Sequence, residues 1–344
     1  MYKTINYLDL DIDGDYALID VRSNGEYEEF TIPGAMNIPI FNNEERSTIG
    51  TIYKQESIEK AKKAGIQMVS AKLLELYEKF NEQKNSHREV VIFCERGGMR
   101  SSSLWSLFNS IGLKVTKLEG GYKGYRAIVN EQLPKLVDEV TFIMLHGHTG
   151  TGKTELLQLL EHKGLDVLDL EGYANHRGSL LGDVGLPQKV SQKEFDALVF
   201  EKLRRRKTNY VLIEAESGRI GNVIIPQYMH SKMKQGIHIM VEGSLEARAQ
   251  RIVEEYIVNE NSKQEILDAL DKLARYMGGN KTASIREQVQ QENYLEAAKE
   301  LMIIHYDPLY AKGQERYQFS LAVNSDDMEA AADAIEGFVK TLLE

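Results

Sequence analysis

Short apolar runs that end in polar residues recur along the chain, and most are followed by stretches with helical periodicity. The apolar runs lie at residues 17–21, 90–93, 140–145, 167–170, 210–213, 236–241 and 319–323. Runs of this length predict short buried strands. Amphipathic spacing predicts helices at residues 69–80, over most of 245–301, and at 328–343. Residues 305–310, which include a proline, are expected to break the second of these helical regions. This alternation of strands and helices indicates an α/β fold.

The length of 344 residues favours two domains. Residues 122–130 predict a helix that runs toward Pro134, and we interpret the segment around this proline as the linker between the domains. The first domain is therefore predicted at residues 1–133 and the second at residues 134–344, with a helical region at about 245–301.

The composition is that of a soluble globular protein, with 42% hydrophobic residues, 27% charged residues and a net charge of −10. No apolar run approaches the roughly 20 residues of a membrane span, and the N-terminus has no apolar signal-peptide core. We therefore expect a cytoplasmic protein without a membrane partner. An acidic protein must bind nucleic acid through a local basic patch. The densest candidates for RNA contact are Arg204, Arg205, Arg206 and Lys207, which would also suit the end of a helix.

The only cysteine, Cys94, follows the apolar run at 90–93 and precedes a loop rich in glycine and arginine. The loop consists of Glu95, Arg96, Gly97, Gly98, Met99 and Arg100. Ser101 comes next and is placed to cap a helix. Helix N–H groups and two arginines would bind an anion and stabilise the reactive thiolate form of cysteine. The alternative is a small buried hydrophobic residue, but such a cysteine needs neither the glycines nor the arginines.

Charged residues near the first strand allow two interpretations. The residues concerned are Asp20, Arg22 and Glu26. They could take part in catalysis, or they could form a structural charge network around the strand ends, which we favour. Residues 42–55 also allow two interpretations, because they could form a plain surface loop, or Arg46 and Lys54 could cover the cysteine or contact RNA.

A phosphate-binding pattern follows the strand predicted at 140–145. Residues 147–154 are G-H-T-G-T-G-K-T, which fits G-x-x-x-x-G-K-[ST], and a helix is predicted from residue 155. In this context backbone N–H groups cradle phosphates, Lys153 neutralises charge, and the Thr154 hydroxyl can hold Mg²⁺. The predicted phosphate-binding residues are Gly147, Gly150, Thr151, Gly152, Lys153 and Thr154. His146 and His148 lack metal-ligand spacing, and we expect them to take no part.

Two acids follow the strand predicted at 210–213. Glu214 or Glu216 could bind Mg²⁺ through water, although an ATPase or GTPase typically has aspartate at this point. No guanine-reading motif of the form Asn/Thr-Lys-x-Asp follows. One cysteine permits no internal disulfide and no multi-cysteine zinc site. We expect no metal site made of protein ligands alone and no tightly bound cofactor.

The N-terminal part resembles the rhodanese family of sulfurtransferases. The resemblance rests on L-I-D-V-R at 18–22, E-Y at 26–27, I-P-G-A-M-N-I-P at 32–39, the Cys94 loop and G-G-Y at 120–122. It implies that the cysteine carries a persulfide in a cradle of backbone N–H groups. Thr31 departs from the family pattern, because many members have histidine there, but this position is not the nucleophile.

Nearly the whole chain resembles the bacterial tRNA 2-selenouridine synthases. The resembling segments are the Cys94 loop, the phosphate-binding loop and residues 42–46, 53–55, 119–123, 169–172, 176–179 and 306–310. The resemblance implies a rhodanese-like α/β domain followed by a P-loop NTPase-like α/β domain with a helical insertion. It also implies a transferase that replaces the sulfur of 2-thiouridine at the tRNA wobble position with selenium. The small substrates that it implies are selenophosphate and geranyl diphosphate, with an S-geranyl intermediate.

This chemistry agrees with the candidate sites. Alkylation turns a thiocarbonyl sulfur into a better leaving group, and a P-loop with Mg²⁺ stabilises a departing diphosphate. Selenophosphate is an anion that suits the arginine-flanked Cys94 loop. With no second cysteine, selenium carried on Cys94 would pass directly to the tRNA or to an external acceptor. Two alternatives stay open: a nucleotide-dependent kinase or hydrolase with a rhodanese module, and a sulfurtransferase that uses thiosulfate.

Overall fold

The structure is a computed structural model that describes residues 3–177, 190–216, 218–257, 261–277, 279–314 and 316–344. Gly178 and Ser179, which belong to one of the resembling segments, lie outside these ranges. The chain forms two compact units. One unit holds Met1–Leu133 and Asp196–Arg204, and the other holds Pro134–Phe195 and Arg205–Glu344.

Five parallel strands form the sheet of the first unit. They are β1 (Thr4–Ile5), β2 (Tyr16–Asp20), β3 (Met36–Asn37), β4 (Glu89–Phe93) and β5 (Thr116–Leu118). Their order is β1-β5-β4-β2-β3, and Ile19 of β2 lies opposite Ile92 of β4. The helices are α1 (Asn24–Glu29), α2 (Asn43–Gln55), α3 (Ile58–Ser70), α4 (Leu73–Ser86), α5 (Met99–Ser110) and α6 (Gly121–Asp138).

The second unit is also built on a parallel sheet. Its strands are β6 (Thr141–His146), β7 (Val167–Leu168), β8 (Tyr210–Glu214), an antiparallel pair β9 (Arg219–Ile220) and β10 (Val223–Ile224), β11 (Ile237–Glu242) and β12 (Leu321–Asn324). The order in the main sheet is β12-β11-β6-β8-β7. The predicted α/β fold class is confirmed.

The helices after residue 138 cover this sheet or form a helical region. They are α7 (Lys153–His162), α8 (Leu170–Ala174), α9 (Gln192–Arg204), α10 (Gln227–Lys234), α11 (Leu245–Tyr256), α12 (Ser262–Met277), α13 (Gly279–Gln290), α14 (Tyr294–Leu301), α15 (Asp307–Gln314) and α16 (Met328–Leu343). Ile143 and Leu145 of β6 pack against α7 and α16. A separate apolar cluster in the helical region includes Leu273, Ile285 and Leu301. Within the described ranges, no helix is long and apolar enough to cross a membrane.

Residues 42–55 do not form the surface loop that one interpretation expected. They form α2, whose start is a reciprocal pair of hydrogen bonds. The Asn42 side chain accepts from the backbone N–H of Glu45, and the Glu45 side chain accepts from the N–H of Asn42. Such a capping box starts helices, so the spacing Asn-x-x-Glu was a usable signal in the sequence.

Two prolines lie inside helical structure, contrary to prediction. Pro134, expected in a linker, lies within α6, where Leu133 and Val137 are buried on either side. The burial of these side chains offsets the hydrogen bond that a proline removes. The break expected at residues 305–310 is also wrong, because a π-helical turn, Met302–Tyr306, runs directly into α15. Pro308 is the second residue of α15, and because the helix continues from the π-helical turn, this proline removes one backbone hydrogen bond from a continuous helix.

Candidate functional site

Cys94 lies at the carboxyl end of β4, where the chain turns toward α5. Its side chain is 2% exposed, and its sulfur lies 3.1 Å from the hydroxyl oxygen of Ser101. Gly97 turns the loop with a φ of +63°, and Gly98 occupies the N-cap of α5. The predicted serine cap is wrong, because Ser101 lies inside the helix. Within the described residues no side chain caps α5, so its first N–H groups can face an anion.

The backbone of Cys94 is also held by the first residues of α6, Gly121 and Tyr122. The N–H of Tyr122 donates to the Cys94 carbonyl oxygen at 2.9 Å. A Cβ atom at Gly121, where φ is +58°, would lie 2.1 Å from that same oxygen. Cys94 also belongs to the apolar core of the first unit, as the interpretation of a buried cysteine requires. That interpretation does not account for the hydroxyl contact or for the uncapped helix end.

A network of buried charges supports the Cys94 loop. Because β2 and β4 are parallel neighbours, the residues that follow them meet at one edge of the sheet. Arg22 and Asp20 are fully buried and pair at 2.7 Å, and Arg22 also binds Glu95 at 3.2 Å. The guanidinium lies 4.5 Å from the centre of the Tyr122 ring. The Thr31 hydroxyl donates to Asp20 at 2.9 Å, so the position that departs from the rhodanese pattern helps to hold this network.

The two arginines of the Cys94 loop have different environments. Arg100 donates to both carboxylate oxygens of Glu26, at 2.6 and 3.2 Å, whereas Arg96 is exposed and has no ion-pair partner in the part of the chain described. Burial alone would raise the pKa of Glu26, but Arg100 and, more weakly, Arg46 outweigh it and lower that pKa. Arg46 lies 3.4 Å from Glu26, while Lys54 is exposed. Arg96 is therefore the arginine that remains available to an external anion.

The phosphate-binding loop joins β6 to α7. Gly150 and Gly152 adopt left-handed backbone conformations, with φ values of +81° and +73°. Lys153 begins α7, and its ammonium donates to the carbonyl oxygen of Gly147 at 3.2 Å, which folds the side chain over the loop. Thr154 lies in the first turn of α7. The arrangement is an anion cradle at a helix N-terminus.

Sequence reasoning missed the residues that hold the outside of this loop. Arg248 of α11 donates from Nε to the carbonyl oxygen of Thr149 at 3.0 Å. Its other nitrogens bind the two oxygens of Asp307 at 2.6 and 3.1 Å, and Asp307 also lies 3.3 Å from His148. Arg251 donates to the loop backbone as well. The only signal in the sequence was that Asp307 belongs to one of the segments that resemble the synthases.

Glu214 ends β8 beside the strand that enters the phosphate-binding loop. It lies opposite Leu145 in the sheet and is fully buried. One carboxyl oxygen accepts from the N–H of Leu170 at 3.0 Å, and the other has no partner among the described residues. Burial, with a further contribution from Asp169, raises the pKa of Glu214 well above its ordinary value. Burial therefore favours the neutral form of this carboxyl, and a cation facing it would favour the ionised form.

Glu171 on the short helix α8 is a second acid that sequence reasoning did not single out. Burial, followed by the charge of Glu216, raises the pKa of Glu171 to about 9, although Lys153 opposes the shift. Glu171 and Glu216 are hydrogen-bonded through their side chains. At neutral pH Glu171 is protonated, and it holds Glu216 close to the lysine of the phosphate-binding loop.

The basic run at the end of α9 is not uniformly exposed. Arg204 lies over the ring of Tyr7, 5.0 Å from its centre, and pairs with an acid of its own helix. Arg206 pairs with another acid. Arg205 and Lys207 are exposed. Contact with RNA at this run stays a prediction, and these last two side chains are the ones that could make it.

Comparisons with known proteins find similarity through both units. The family model described as tRNA 2-selenouridine synthase AAA domain matches residues 140–340, and that of the rhodanese-like domain matches residues 5–128. The tRNA 2-selenouridine synthase of Pseudomonas fluorescens strain Pf0-1 is 30% identical over 88% of this chain and 89% of its own length. That of Marinobacter nauticus is 30% identical over 89% and 90% of the two chains. That of Pseudomonas fluorescens strain Pf-5 is 29% identical over 89% and 92%.

Proposed function

Because the chain belongs to the tRNA 2-selenouridine synthase family, a family of tRNA-modifying enzymes, we propose that it exchanges sulfur for selenium in two steps at two anion-binding loops. The base that reacts is 2-thiouridine at the wobble position of a tRNA. In the first step the P-loop binds geranyl diphosphate, and the sulfur is alkylated. In the second step the Cys94 loop binds selenophosphate, and selenium replaces the alkylated sulfur.

The observation that carries this proposal is that one chain has two separately built anion sites with different chemistry. The first unit offers an uncapped helix N-terminus, an exposed Arg96 and the only thiol of the chain. The second unit offers a P-loop with Lys153 over its backbone. A diphosphate suits the second site, since an ammonium and several N–H groups can stabilise its charge as it departs. Selenophosphate is a smaller anion that must approach a thiol, so it suits the Cys94 loop of the first unit.

The first step forms a carbon–sulfur bond and breaks a carbon–oxygen bond. The thiocarbonyl sulfur attacks the first carbon of the geranyl group, and the diphosphate leaves with the bonding electrons. The base loses its N3 proton to solvent, and a double bond forms between C2 and N3. Lys153 and the N–H groups of the loop stabilise the charge that collects on the departing diphosphate.

A magnesium ion fits the residues around the P-loop. Glu214 presents a buried carboxyl oxygen that has no hydrogen-bond partner among the described residues, and a water molecule on a cation could donate to it. Within the described residues no group of three or more His, Cys, Asp or Glu side chains could hold a metal alone. Thr154, Glu214 and Glu216 would therefore hold Mg²⁺ together with the phosphates of the substrate. When bound, the ion neutralises part of the diphosphate charge.

The second step exchanges the two chalcogen atoms without any change of oxidation level. The Cys94 thiolate attacks C2 of the S-geranyl base, and geranylthiol leaves with a proton from solvent. The selenium of selenophosphate, already at the level of selenide, then attacks the same carbon, and the Cys94 thiolate leaves. Water then cleaves the phosphorus–selenium bond and releases phosphate. Arg96 and the first N–H groups of α5 bind the phosphate part of the donor, which brings its selenium to Cys94. Because the Cys94 thiolate is regenerated when selenium displaces it, the product forms without an external thiol.

Two variants test whether the P-loop serves the alkylation step and the Cys94 loop serves the selenium exchange. Lys153→Ala should lower S-geranylation by about 10²–10³-fold, while tRNA that was geranylated beforehand should still be selenated. Cys94→Ala should geranylate normally and accumulate S-geranyl tRNA when both substrates are supplied. The exposed Ser103 lies on α5 outside the loop, so Ser103→Ala is a matched control. The measurement is the mass of the wobble nucleoside after tRNA digestion, with and without added thiol.

Three outcomes would contradict the proposal. Selenouridine formed at the wild-type rate by Cys94→Ala would remove the thiol from the reaction. Normal geranylation by Lys153→Ala, together with nucleotide turnover in the absence of tRNA, would favour a kinase or hydrolase. Sulfur transfer from thiosulfate to cyanide at a rate far above any tRNA reaction would favour a plain sulfurtransferase.

A further inference from the structure

The main sheet of the second unit has a cavity on the face opposite α7 and α16. Because side chains alternate along a strand, Met144 and His146 lie on the other side of β6 from the core residues Ile143 and Leu145. A cavity of about 250 Å³ opens there, at the carboxyl end of β6. This edge of a parallel sheet is where ligands of open α/β folds bind.

The two ends of the cavity differ in chemistry. Lys153 and the first glycine of the P-loop line one end, so a diphosphate bound by this lysine would have its substituent directed into the cavity. Met144 and Met233, only 4% and 1% exposed, form the inner wall. Lys234 and Arg316 line the same cavity but are exposed side chains. The buried part of the wall that the two methionines form is therefore apolar, whereas Lys153, Glu216, Lys234 and Arg316 place charges elsewhere on the lining.

An uncharged aromatic cluster completes the wall. His146 and His238 are hydrogen-bonded at 2.9 Å, and the centre of the Tyr317 ring lies 4.7 Å and 4.4 Å from their ring centres. Burial, followed by the charges of His238 and Lys153, lowers the pKa of His146 to about 4, and burial lowers the pKa of His238 as well. Both rings are neutral at pH 7, so this wall places no cation against an apolar ligand. Aromatic faces also stabilise positive charge on a carbon that is losing its diphosphate.

We propose that this cavity binds the hydrocarbon chain of the prenyl diphosphate whose diphosphate occupies the P-loop. The inference rests on the proposed function and adds to it the position of the chain and the residues that select its length. A nucleoside fits the inner wall less well, because its base and ribose carry hydrogen-bonding groups that methionine side chains would leave without partners.

Chain-length selectivity tests the proposal in the full-length enzyme. Met144→Phe narrows the inner wall, Met144→Ala widens it, and Ile143→Val changes the opposite face of the same strand as a control. The rates of tRNA S-alkylation are compared for dimethylallyl, geranyl and farnesyl diphosphate, which differ by one isoprene unit each. Met144→Phe should lower the geranyl rate relative to the dimethylallyl rate by on the order of tenfold. Met144→Ala should raise the farnesyl rate relative to the geranyl rate.

Inhibition by inorganic diphosphate distinguishes an effect on the cavity from an effect on the P-loop. Its inhibition constant should be the same in all these variants, because it needs the P-loop alone. If Met144→Phe does not fold, Tyr317→Ala opens the aromatic side of the same cavity and should also favour the longer chain. Wild-type chain-length ratios in the Met144 and Tyr317 variants would overturn the inference and leave the proposed function intact. Failure of the wild-type enzyme to alkylate tRNA with any prenyl diphosphate would overturn both.

Discussion

Replacing Arg248 with methionine should destabilise the second unit and weaken diphosphate binding at the P-loop. The guanidinium is 5% exposed, binds both oxygens of Asp307 and donates to the carbonyl oxygen of Thr149. Removing one partner of a buried ion pair costs about 3–5 kcal/mol, because the remaining charge stays desolvated. The Asp307 side chain is 25% exposed and still has His148 at 3.3 Å. We therefore expect a smaller cost, about 2–3 kcal/mol in the free energy of unfolding.

A double-mutant cycle with Asp307→Asn isolates the energy of this pair. The free energy of unfolding in urea is measured for the wild type, both single variants and the double variant, with a probe in the second unit. We expect a coupling energy of about 1–3 kcal/mol. Titration calorimetry with inorganic diphosphate should show weaker binding to Arg248→Met, since the loop carbonyl at Thr149 loses its donor.

A surface ion pair supplies the control for this cycle. Arg286, whose side chain is 38% exposed, pairs with an acid in the helical region. Arg286→Met should cost about 0–1 kcal/mol and leave diphosphate binding unchanged. A coupling energy below about 0.5 kcal/mol for the Arg248 pair, together with unchanged diphosphate affinity, would refute the argument that this pair stabilises and positions the P-loop.

The basic run, a buried histidine and the thiol supply three further tests. Replacing both Arg205 and Lys207 with glutamate should weaken tRNA binding and reduce the slope of log affinity against log salt concentration by about 1.5. An unchanged slope would mean that the basic run only ends a helix and does not contact tRNA. His146 should titrate near pH 4 in NMR spectra. Its folded-state pKa lies below the unfolded value of about 6.5, so stability should fall by up to about 3 kcal/mol as the pH drops from 6.5 to 4; a midpoint near 6.5 would contradict this. Cys94→Ser should lose selenium exchange as fully as Cys94→Ala, because a hydroxyl is scarcely ionised at neutral pH; a half-active serine variant would show that the thiolate is not required.

The sequence by itself determined the two loops and the class of fold. The Cys94 loop and the P-loop are each a strand end, a glycine-containing turn and a helix N-terminus in consecutive residues, so local backbone geometry sets them. Short apolar runs were sufficient to predict buried strands, because a strand that is buried on both faces has no polar face. The closing helix α16 was predicted at its observed bounds for a similar reason, since its apolar face follows the helical period.

Two predictions from local rules failed, for different reasons. Pro134 was expected to end a helix, but α6 continues past it because its neighbours are buried on packing. Residues 42–55 looked polar enough for a loop, and the Asn42 capping box nevertheless starts a helix there. At Pro134 the sequence pattern did not include the burial that decided the outcome. At residues 42–55 the deciding capping box was itself a local signal, and the prediction gave more weight to the polarity of the segment.

Only the tertiary structure decided which charged groups remain available for chemistry. Arg96 and Arg100 look equivalent in the sequence. In the structure Glu26, which lies 74 positions from Arg100, pairs with Arg100 and not with Arg96. Arg248 meets Asp307 across 59 positions, and burial in the sheet raises the pKa of Glu214. The energy of a charged side chain depends on its solvent exposure and on its partners. Both are set by packing between segments that are distant in the sequence, and hydrophobic periodicity along the chain does not show which segments pack together.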